Sequence, residues 1–180
     1  RIALHRPPEG ARNDTLVVRE VVPTGSPAVS APAISPEPSP EAEGPRAGAC
    51  GSAPAGFRFA SIEGAPSCDG GPLAAAGILS QGAWLETDAA TRVRIDVADI
   101  GHVEIDRGSR LRLLETGTSG HRLELARGRL EAEISAPPRL FFVDTKAATA
   151  VDLGCAYELT VDDDGAGRLV VKTGTVELEP

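Results

Sequence analysis

Residues 122–134 read RLELARGRLEAEI, and this stretch decides the fold class. In each half, Leu, Ala or Ile occupies every second position, while Arg and Glu fill most of the others. Side chains alternate between the two faces of a β-strand, so each half has one apolar and one polar face. Between the halves, Arg127 and Gly128 form a turn signal. The stretch predicts two half-buried strands joined by a turn at Gly128.

The same alternation recurs along the chain from Gly82 to Pro180. Turn residues separate the alternating runs at intervals of about ten residues, which is typical of an all-β sandwich or barrel. No apolar stripe of helical spacing and length is present. We therefore expect a two-sheet β-sandwich, or a β-roll or solenoid-like domain, with about ten to twelve short strands. The other alternating runs are residues 92–97, 103–106, 110–113, 156–161 and 176–179.

Residues 140–143 read LFFV and break the alternation, because they are apolar on both faces. A short, continuous apolar run is typical of a strand that is buried on both sides. We expect a central, fully buried strand here, with residues 147–153 packed beside it. Residues 57–62 predict a further strand that opens the domain.

Proline is concentrated in the first part of the chain, where 12 of the 15 prolines precede Gly82. Proline lacks a backbone donor and favours extended polyproline II conformation. Residues 1–48 are therefore predicted to be a Pro-rich flexible linker, followed by an all-β domain over residues 49–180. Residues 16–18 and 21–22 could form a stray strand, although local extended chain is the favoured interpretation.

Net charge and aromatic content exclude one class of partner. The chain carries 18 Lys and Arg against 26 Asp and Glu, a net charge of -8, and only 3% of its residues are aromatic. Nucleic-acid binding needs clustered basic residues for the phosphates, and stacking platforms for single strands. We expect no nucleic-acid partner.

The three cysteines leave two interpretations open. Cys50 and Cys68 could form a disulfide in an oxidising compartment, or all three could be unrelated thiols. Cys155 has only acidic charged neighbours, which favours a buried structural cysteine over a reactive thiolate. No cysteine or histidine spacing typical of a zinc site occurs.

Two further groups of residues could indicate a catalytic or metal site. The stretch Asp162 to Gly165 could be a calcium loop, but an acidic hairpin tip explains it better. His102 and His121 have no companion at motif spacing, and both are predicted to lie on polar faces at the surface. No nucleophile elbow or phosphate-binding loop is present. The sequence thus predicts no enzyme, no metal and no cofactor.

Seven short segments follow one another in a fixed order and together cover about residues 82–179. They are residues 82–87 (GAWLET), 93–105 (VRIDVADIGHVEI), 109–113 (SRLRL), 123–134 (LELARGRLEAEI), 142–147 (FVDTKA), 153–157 (LGCAY) and 171–178 (VKTGTVEL). In this order and spacing they resemble the FecR family domain. The resemblance implies that Gly128, Phe142, Gly154 and Gly174 are structural motif residues.

The resemblance also implies a function and a location. Such a domain is a non-catalytic, extracytoplasmic sensory or regulatory module of a membrane-anchored protein that relays an envelope signal to an anti-sigma and sigma-factor system. The expected partners are a sigma factor, bound through a cytoplasmic part not in this chain, and an outer-membrane or other envelope protein. The expected location is the periplasm, with an anchoring helix upstream of Arg1. The alternative is a passive envelope module that binds a glycan or a protein without a sigma partner.

Overall fold

A computed structural model describes residues 56–180 together with two short N-terminal strands, β1 (Ile2–His5) and β2 (Leu16–Val18). All regular structure in these residues is β-strand, so the all-β prediction is confirmed. Fourteen strands lie between Gly56 and Glu179, more than the ten to twelve expected, because the pattern did not detect strands of two residues. These strands are β3 (Gly56–Glu63), β4 (Ser67–Cys68), β5 (Gly71–Pro72), β6 (Ala76–Ser80), β7 (Trp84–Glu86), β8 (Arg92–Val97), β9 (Gly101–Ile105), β10 (Arg110–Gly117), β11 (Gly120–Ile134), β12 (Phe141–Asp144), β13 (Thr149–Asp152), β14 (Ala156–Val161), β15 (Gly167–Thr173) and β16 (Thr175–Glu179).

The strands form two sheets that share one member. Sheet A has the order β1-β16-β13-β12-β11-β10-β7-β4-β5, and sheet B has the order β2-β15-β14-β11-β9-β8-β3-β6. Neighbouring strands are antiparallel except for β11 and β12, which run parallel. The apolar faces of both sheets contribute to one hydrophobic core. The architecture is therefore a two-layer β-sandwich with a continuous connection through β11.

Strand β11 is a single 15-residue strand, where the sequence predicted two strands and a turn. Its first half pairs with β10 and β12 in sheet A, and its second half pairs with β14 and β9 in sheet B. Gly128 has φ 95° at the change of sheet, so the chain bends there. The predicted reversal at Arg127 and Gly128 is wrong, because a single glycine bends a strand without returning it alongside itself.

The LFFV run forms the central strand β12, but only one of its faces is in the core. Phe141 and Val143 are fully buried, whereas Phe142 is partly buried on the opposite face. β12 pairs with β11 on one side and β13 on the other, as expected for a central strand. The expectation that both faces are fully buried is therefore wrong at Phe142.

Two segments of the predicted linker are paired strands. β1 pairs with β16 and β2 pairs with β15, so Leu16–Val18 is a strand and not merely local extended chain. The remainder of residues 1–48, including residues 21–22, lies outside the described residues, and the linker interpretation stays a prediction there.

Candidate partner-binding surface

The outer face of sheet A carries an aromatic ring in contact with two guanidinium groups. Leu85 on β7 points into the core, which places its neighbours Trp84 and Glu86 on the outer face. Antiparallel pairing aligns Arg112 with Trp84 and Arg110 with Glu86. The guanidinium carbons of Arg110 and Arg112 lie 4.3 and 4.6 Å from the centre of the Trp84 ring. Both distances are within the range of cation–π attraction.

Each of these guanidinium groups also meets a carboxylate. Arg110 Nε lies 3.1 Å from Glu86 Oε1, and Arg112 Nε donates to Glu124 Oε2 at 2.6 Å. Glu124 lies on β11 directly opposite Arg112 in the pairing register. Arg112 is therefore hydrogen-bonded to an acid and lies over the indole ring, whereas Arg110 lies over the ring and makes an ion pair with Glu86 in which its Nε has no hydrogen bond.

A second arginine–aromatic contact follows on the next strands. Arg122 on β11 lies opposite Phe142 on β12, and its guanidinium carbon is 4.9 Å from the centre of the phenyl ring. Arg122 Nη1 donates to both carboxylate oxygens of Asp144 at 2.8 and 2.9 Å. Asp144 also accepts a 2.7 Å hydrogen bond from Thr149 Oγ1. Phe142 is therefore part of a surface cluster and not of the core.

We call this surface the Trp84 face. It combines partly buried aromatic rings with oriented arginines, which is the composition of protein-interaction hot spots. A shallow groove lies at the end of this face formed by β11 and β12. The Trp84 face comprises Trp84, Glu86, Arg110, Arg112, Arg122, Glu124, Phe142 and Asp144, and the groove is lined by Arg122, Glu124, Ala126, Asp144, Thr145, Lys146 and Thr149.

The outer face of sheet B has a different composition. Its ion pairs join charged side chains without an aromatic ring: Arg92 with Glu104, Arg94 with Asp96, and Lys172 with Glu131. Between about a third and a half of each of these side chains is exposed to solvent. Solvent screens such pairs, and pairs of this kind contribute little to stability. Among the described residues, the aromatic–arginine contacts lie on sheet A only.

The bend of β11 is held by a buried serine. The side chain of Ser109 is fully buried; its Oγ donates to Asp106 O at 2.7 Å and accepts from Arg129 N at 3.0 Å. A Cβ on Gly128 would come within 2.5 Å of Ser109 Cα, so the close approach of the two segments requires glycine. Sequence reasoning treated Ser109 only as a turn residue; its contact with β11 depends on pairing that a local pattern does not contain.

Gly154 and Gly174 meet at another close approach. They have φ values of 89° and 80°, conformations that favour glycine. A Cβ on Gly174 would overlap the carbonyl oxygen of Gly154 and lie 3.0 Å from Cys155 Cα. These two glycines therefore allow the turn before β14 to pack against the turn between β15 and β16.

Cys155 belongs to a buried polar cluster next to these glycines. Its Sγ donates to Asp152 Oδ2 at 2.7 Å, and Gly154 N donates to Asp152 Oδ1 at 2.7 Å. Burial raises the pKa of the Cys155 thiol and also that of the Asp152 carboxyl. A thiol held protonated in this way is a poor nucleophile. The cluster therefore has the chemistry of a structural contact, as the sequence predicted for Cys155.

Cys68 lies on β4 near the end of sheet A and is disulfide-bonded. Its predicted partner, Cys50, lies outside the described residues. The pairing of Cys50 with Cys68 stays a prediction.

The two histidines do not form a common site. His102 is on β9 in sheet B, with Nε2 3.9 Å from Glu133 Oε2. His121 is buried; its Nδ1 is 3.0 Å from Thr116 Oγ1 and its ring packs against Phe57 with centroids 5.4 Å apart. The surface prediction for His121 is wrong, because it lies on the same face of β11 as the core residue Leu123.

The remaining candidate is the acidic stretch between β14 and β15. Gly165 N donates to Asp162 O, and Asp162 N donates to Ala166 O, both at 2.9 Å. These bonds close a hairpin tip, as the turn interpretation predicts. Within residues 56–180, no cluster of three or more His, Cys, Asp or Glu side chains is suited to hold a metal ion. Likewise, no helix in the described part of the chain is long and apolar enough to cross a membrane.

Comparison with protein families identifies the domain. The family model described as FecR protein matches residues 83–177, more than half of the chain. The chain belongs to the FecR family. The match begins one residue before Trp84 and includes all of the Trp84 face. A search of curated proteins and a search of solved structures each found no match.

Sequence reasoning did not single out Trp84 as a functional candidate, although a signal was available. Alternation around Leu85 places Trp84 on a polar face, where a large aromatic side chain is unusual. Its contact with Arg110 and Arg112 depends on the pairing of β7 with β10, which the sequence pattern alone did not give.

Proposed function

We propose that this FecR domain is the extracytoplasmic sensory module of a membrane-anchored regulator, and that it relays an envelope signal to an anti-sigma and sigma-factor system. The observation that carries the proposal is the family match over residues 83–177, since the FecR family is a regulatory and non-enzymatic one. The anchor and the sigma-binding part belong to other segments of such a regulator. In this location, the domain contacts an outer-membrane or other envelope protein.

The Trp84 face is the proposed contact surface for that envelope protein. Trp and Arg are the residue types most enriched among those that dominate protein-interface energetics. Here their side chains are already held by neighbours, with Arg112 between Trp84 and Glu124 and Arg122 between Phe142 and Asp144. A surface ordered before binding loses less side-chain entropy when a partner docks.

Transcription in the native host tests the regulatory role. Deleting residues 82–180 from the complete gene is expected to change the transcripts controlled by the cognate sigma factor. RNA sequencing of the deletion strain and its parent measures the change. If no sigma-dependent transcript changes, the regulatory role is wrong.

Two variants test the contact surface separately from the regulatory role. Trp84→Ala with Arg112→Ala removes the centre of the Trp84 face, and Arg94→Ala on the outer face of sheet B is the matched control. We expect the first variant to lose the transcriptional response while the control keeps it, at equal protein levels. A normal response in both variants would remove the Trp84 face from the proposal and leave the regulatory role standing.

The second candidate function is a passive envelope-binding module that takes a glycan or protein ligand without a sigma partner. The aromatic ring and neighbouring carboxylates of the Trp84 face favour it. However, Trp84 already contacts two guanidinium groups, which disfavours stacking of a sugar ring. Saturable binding to a wall-glycan panel, lost in Trp84→Ala, would support this candidate, and flat binding curves would exclude its glycan form.

A further inference from the structure

The last two strands of the domain are both bordered by strands from the N-terminal segment. In sheet A, β1 pairs with β16, with Ile2 opposite Leu178 and Leu4 opposite Val176. In sheet B, β2 pairs with β15, with Leu16 opposite Leu169. Strands of the N-terminal segment therefore border both sheets.

Strand β16 has very different neighbours on its two sides. On the inner side, β13 contributes Ala150, Val151 and Asp152, all of which are almost fully buried. On the outer side, β1 also pairs through four residues, but it is the end strand of sheet A, with no further strand beyond it in the described part of the chain. Pro7 and Pro8 follow β1 closely, and proline cannot donate to a continuing ladder.

The hold of β1 on this edge is therefore weak. Four paired residues form few interstrand hydrogen bonds, each of which replaces a bond to water and has a small net effect. The conformational entropy lost when the segment is ordered opposes this small gain from hydrogen bonding. β2 is shorter still, with three residues beside a seven-residue strand.

We propose that the outer edge of β16 is a strand-addition site, which β1 occupies in this structure and which an extended strand of a partner protein takes over. Sheet edges are templates for added strands, and main-chain hydrogen bonds supply most of the affinity in such complexes. This inference goes beyond the proposed function, because it concerns a different surface from the Trp84 face.

The edge also sets the chemistry of the partner strand. Val176 is fully buried and Leu178 packs against the core, so the positions opposite them take apolar residues. The alternate positions lie opposite Thr175 and Glu177, and Glu177 is already paired with Arg139 at 3.1 Å. The partner segment is thus extended and apolar at every second position. The sequence Ile2-Ala3-Leu4-His5 follows this rule.

Peptide binding to the full chain tests the site. The probe is a labelled peptide of residues 1–6, RIALHR, and the matched control peptide is RIAPHR, in which proline removes a backbone donor and the leucine opposite Val176. We expect Leu4→Pro to bind RIALHR at least about tenfold more tightly than the unmodified chain, since the site is no longer partly occupied. Neither chain is expected to bind RIAPHR. Ala31→Pro, in a segment already rich in proline, is the control variant and should behave as the unmodified chain.

Hydrogen exchange provides a test that needs no variant. Excess RIALHR should accelerate amide exchange in Ile2–His5 of the unmodified chain while Thr175–Glu179 remains protected. Unchanged exchange in Ile2–His5, or equal affinity of Leu4→Pro and the unmodified chain for RIALHR, would overturn the proposal. A stable dimer of the unmodified chain that Leu4→Pro converts to a monomer would also overturn it, by assigning the edge to a second copy. None of these readouts depends on transcription, so the proposed regulatory role is tested separately.

Discussion

The outer faces of sheets A and B arise from the same alternation of residues but differ in how their charges are held. On sheet B, Arg94 lies between Asp96 and Glu104 at distances of 3.7 and 4.0 Å, with about half of its side chain exposed. On sheet A, Arg112 contacts both Glu124 and the Trp84 ring. The number of ion pairs does not distinguish the two faces. The aromatic rings do, because the second contact of Arg112 is a ring, whereas the second contact of Arg94 is another carboxylate.

The largest expected effect separates the two faces of a single strand, β12. Phe141→Ala should reduce the free energy of unfolding by about 3–5 kcal/mol, because it leaves a cavity in the core. Phe142→Ala should cost about 1–2 kcal/mol, through lost contact with Arg122 and a smaller loss of buried area. Urea denaturation of both variants measures the difference. Equal losses would mean that the Trp84 face and the core are not distinct at this strand.

The next effect concerns the bend that directs β11 into both sheets. Gly128→Ala should cost about 2–5 kcal/mol, because a residue with a side chain is strained at φ 95° and its Cβ collides with Ser109. The matched control is Gly108→Ala, at φ 69° with no atom within 4 Å of the added Cβ. It should cost about 1–2 kcal/mol, from backbone strain alone. Thermal unfolding of both variants gives the comparison, and equal destabilisation would argue against the close approach at Ser109.

A pair of double-mutant cycles measures the difference between the faces directly. The cycle of Trp84→Ala and Arg112→Ala should give a coupling energy of about 0.5–1 kcal/mol. The cycle of Arg94→Ala and Glu104→Ala on sheet B should give about 0.2–0.5 kcal/mol, as for other exposed pairs. Both are obtained from urea denaturation of the single and double variants. A larger coupling on sheet B would reverse the comparison.

The smallest expected effect is a pH dependence that arises beneath sheet A. Burial lowers the pKa of His121 in the folded protein, so the unfolded chain takes up a proton first as the pH falls. Stability should therefore decrease as the pH falls through about 6.5, the ordinary histidine pKa. Denaturation curves between about pH 5 and 8 should show this slope in the native sequence and less of it in His121→Asn. His102→Asn retains His121 and should keep the slope. Loss of the slope in His102→Asn would mean that His121 is not the cause of the pH dependence.

The local alternation of apolar and polar residues predicted most of the strands, because a half-buried strand has one apolar face and one polar face along its length. The same alternation places His121 on the apolar face of β11, because His121 lies two residues before Leu123. The incorrect surface prediction followed from its residue type instead. The bend at Gly128 could not be predicted in this way. A glycine between two strands is compatible with either a turn or a bend, and the choice depends on which distant strands pair with each half.

The candidate surface could be predicted from the sequence less completely than the fold. Trp84, Arg112 and Glu124 come from three strands, and only the pairing of β7, β10 and β11 brings them together. Phe142 was assigned to the core because its neighbours are apolar. Its true position depends on Arg122, which the parallel pairing of β11 and β12 places beside it.

The pairing of β11 in both sheets affects how the domain unfolds. It is the hydrogen-bonding neighbour of four strands, two in each sheet. No single cut in the sequence separates sheet A from sheet B. Such a cut would either divide β11 or leave one half of β11 without its partner strands. We therefore expect the two layers to melt as one cooperative unit, with a calorimetric enthalpy equal to the van't Hoff enthalpy and no intermediate in which one layer survives without the other.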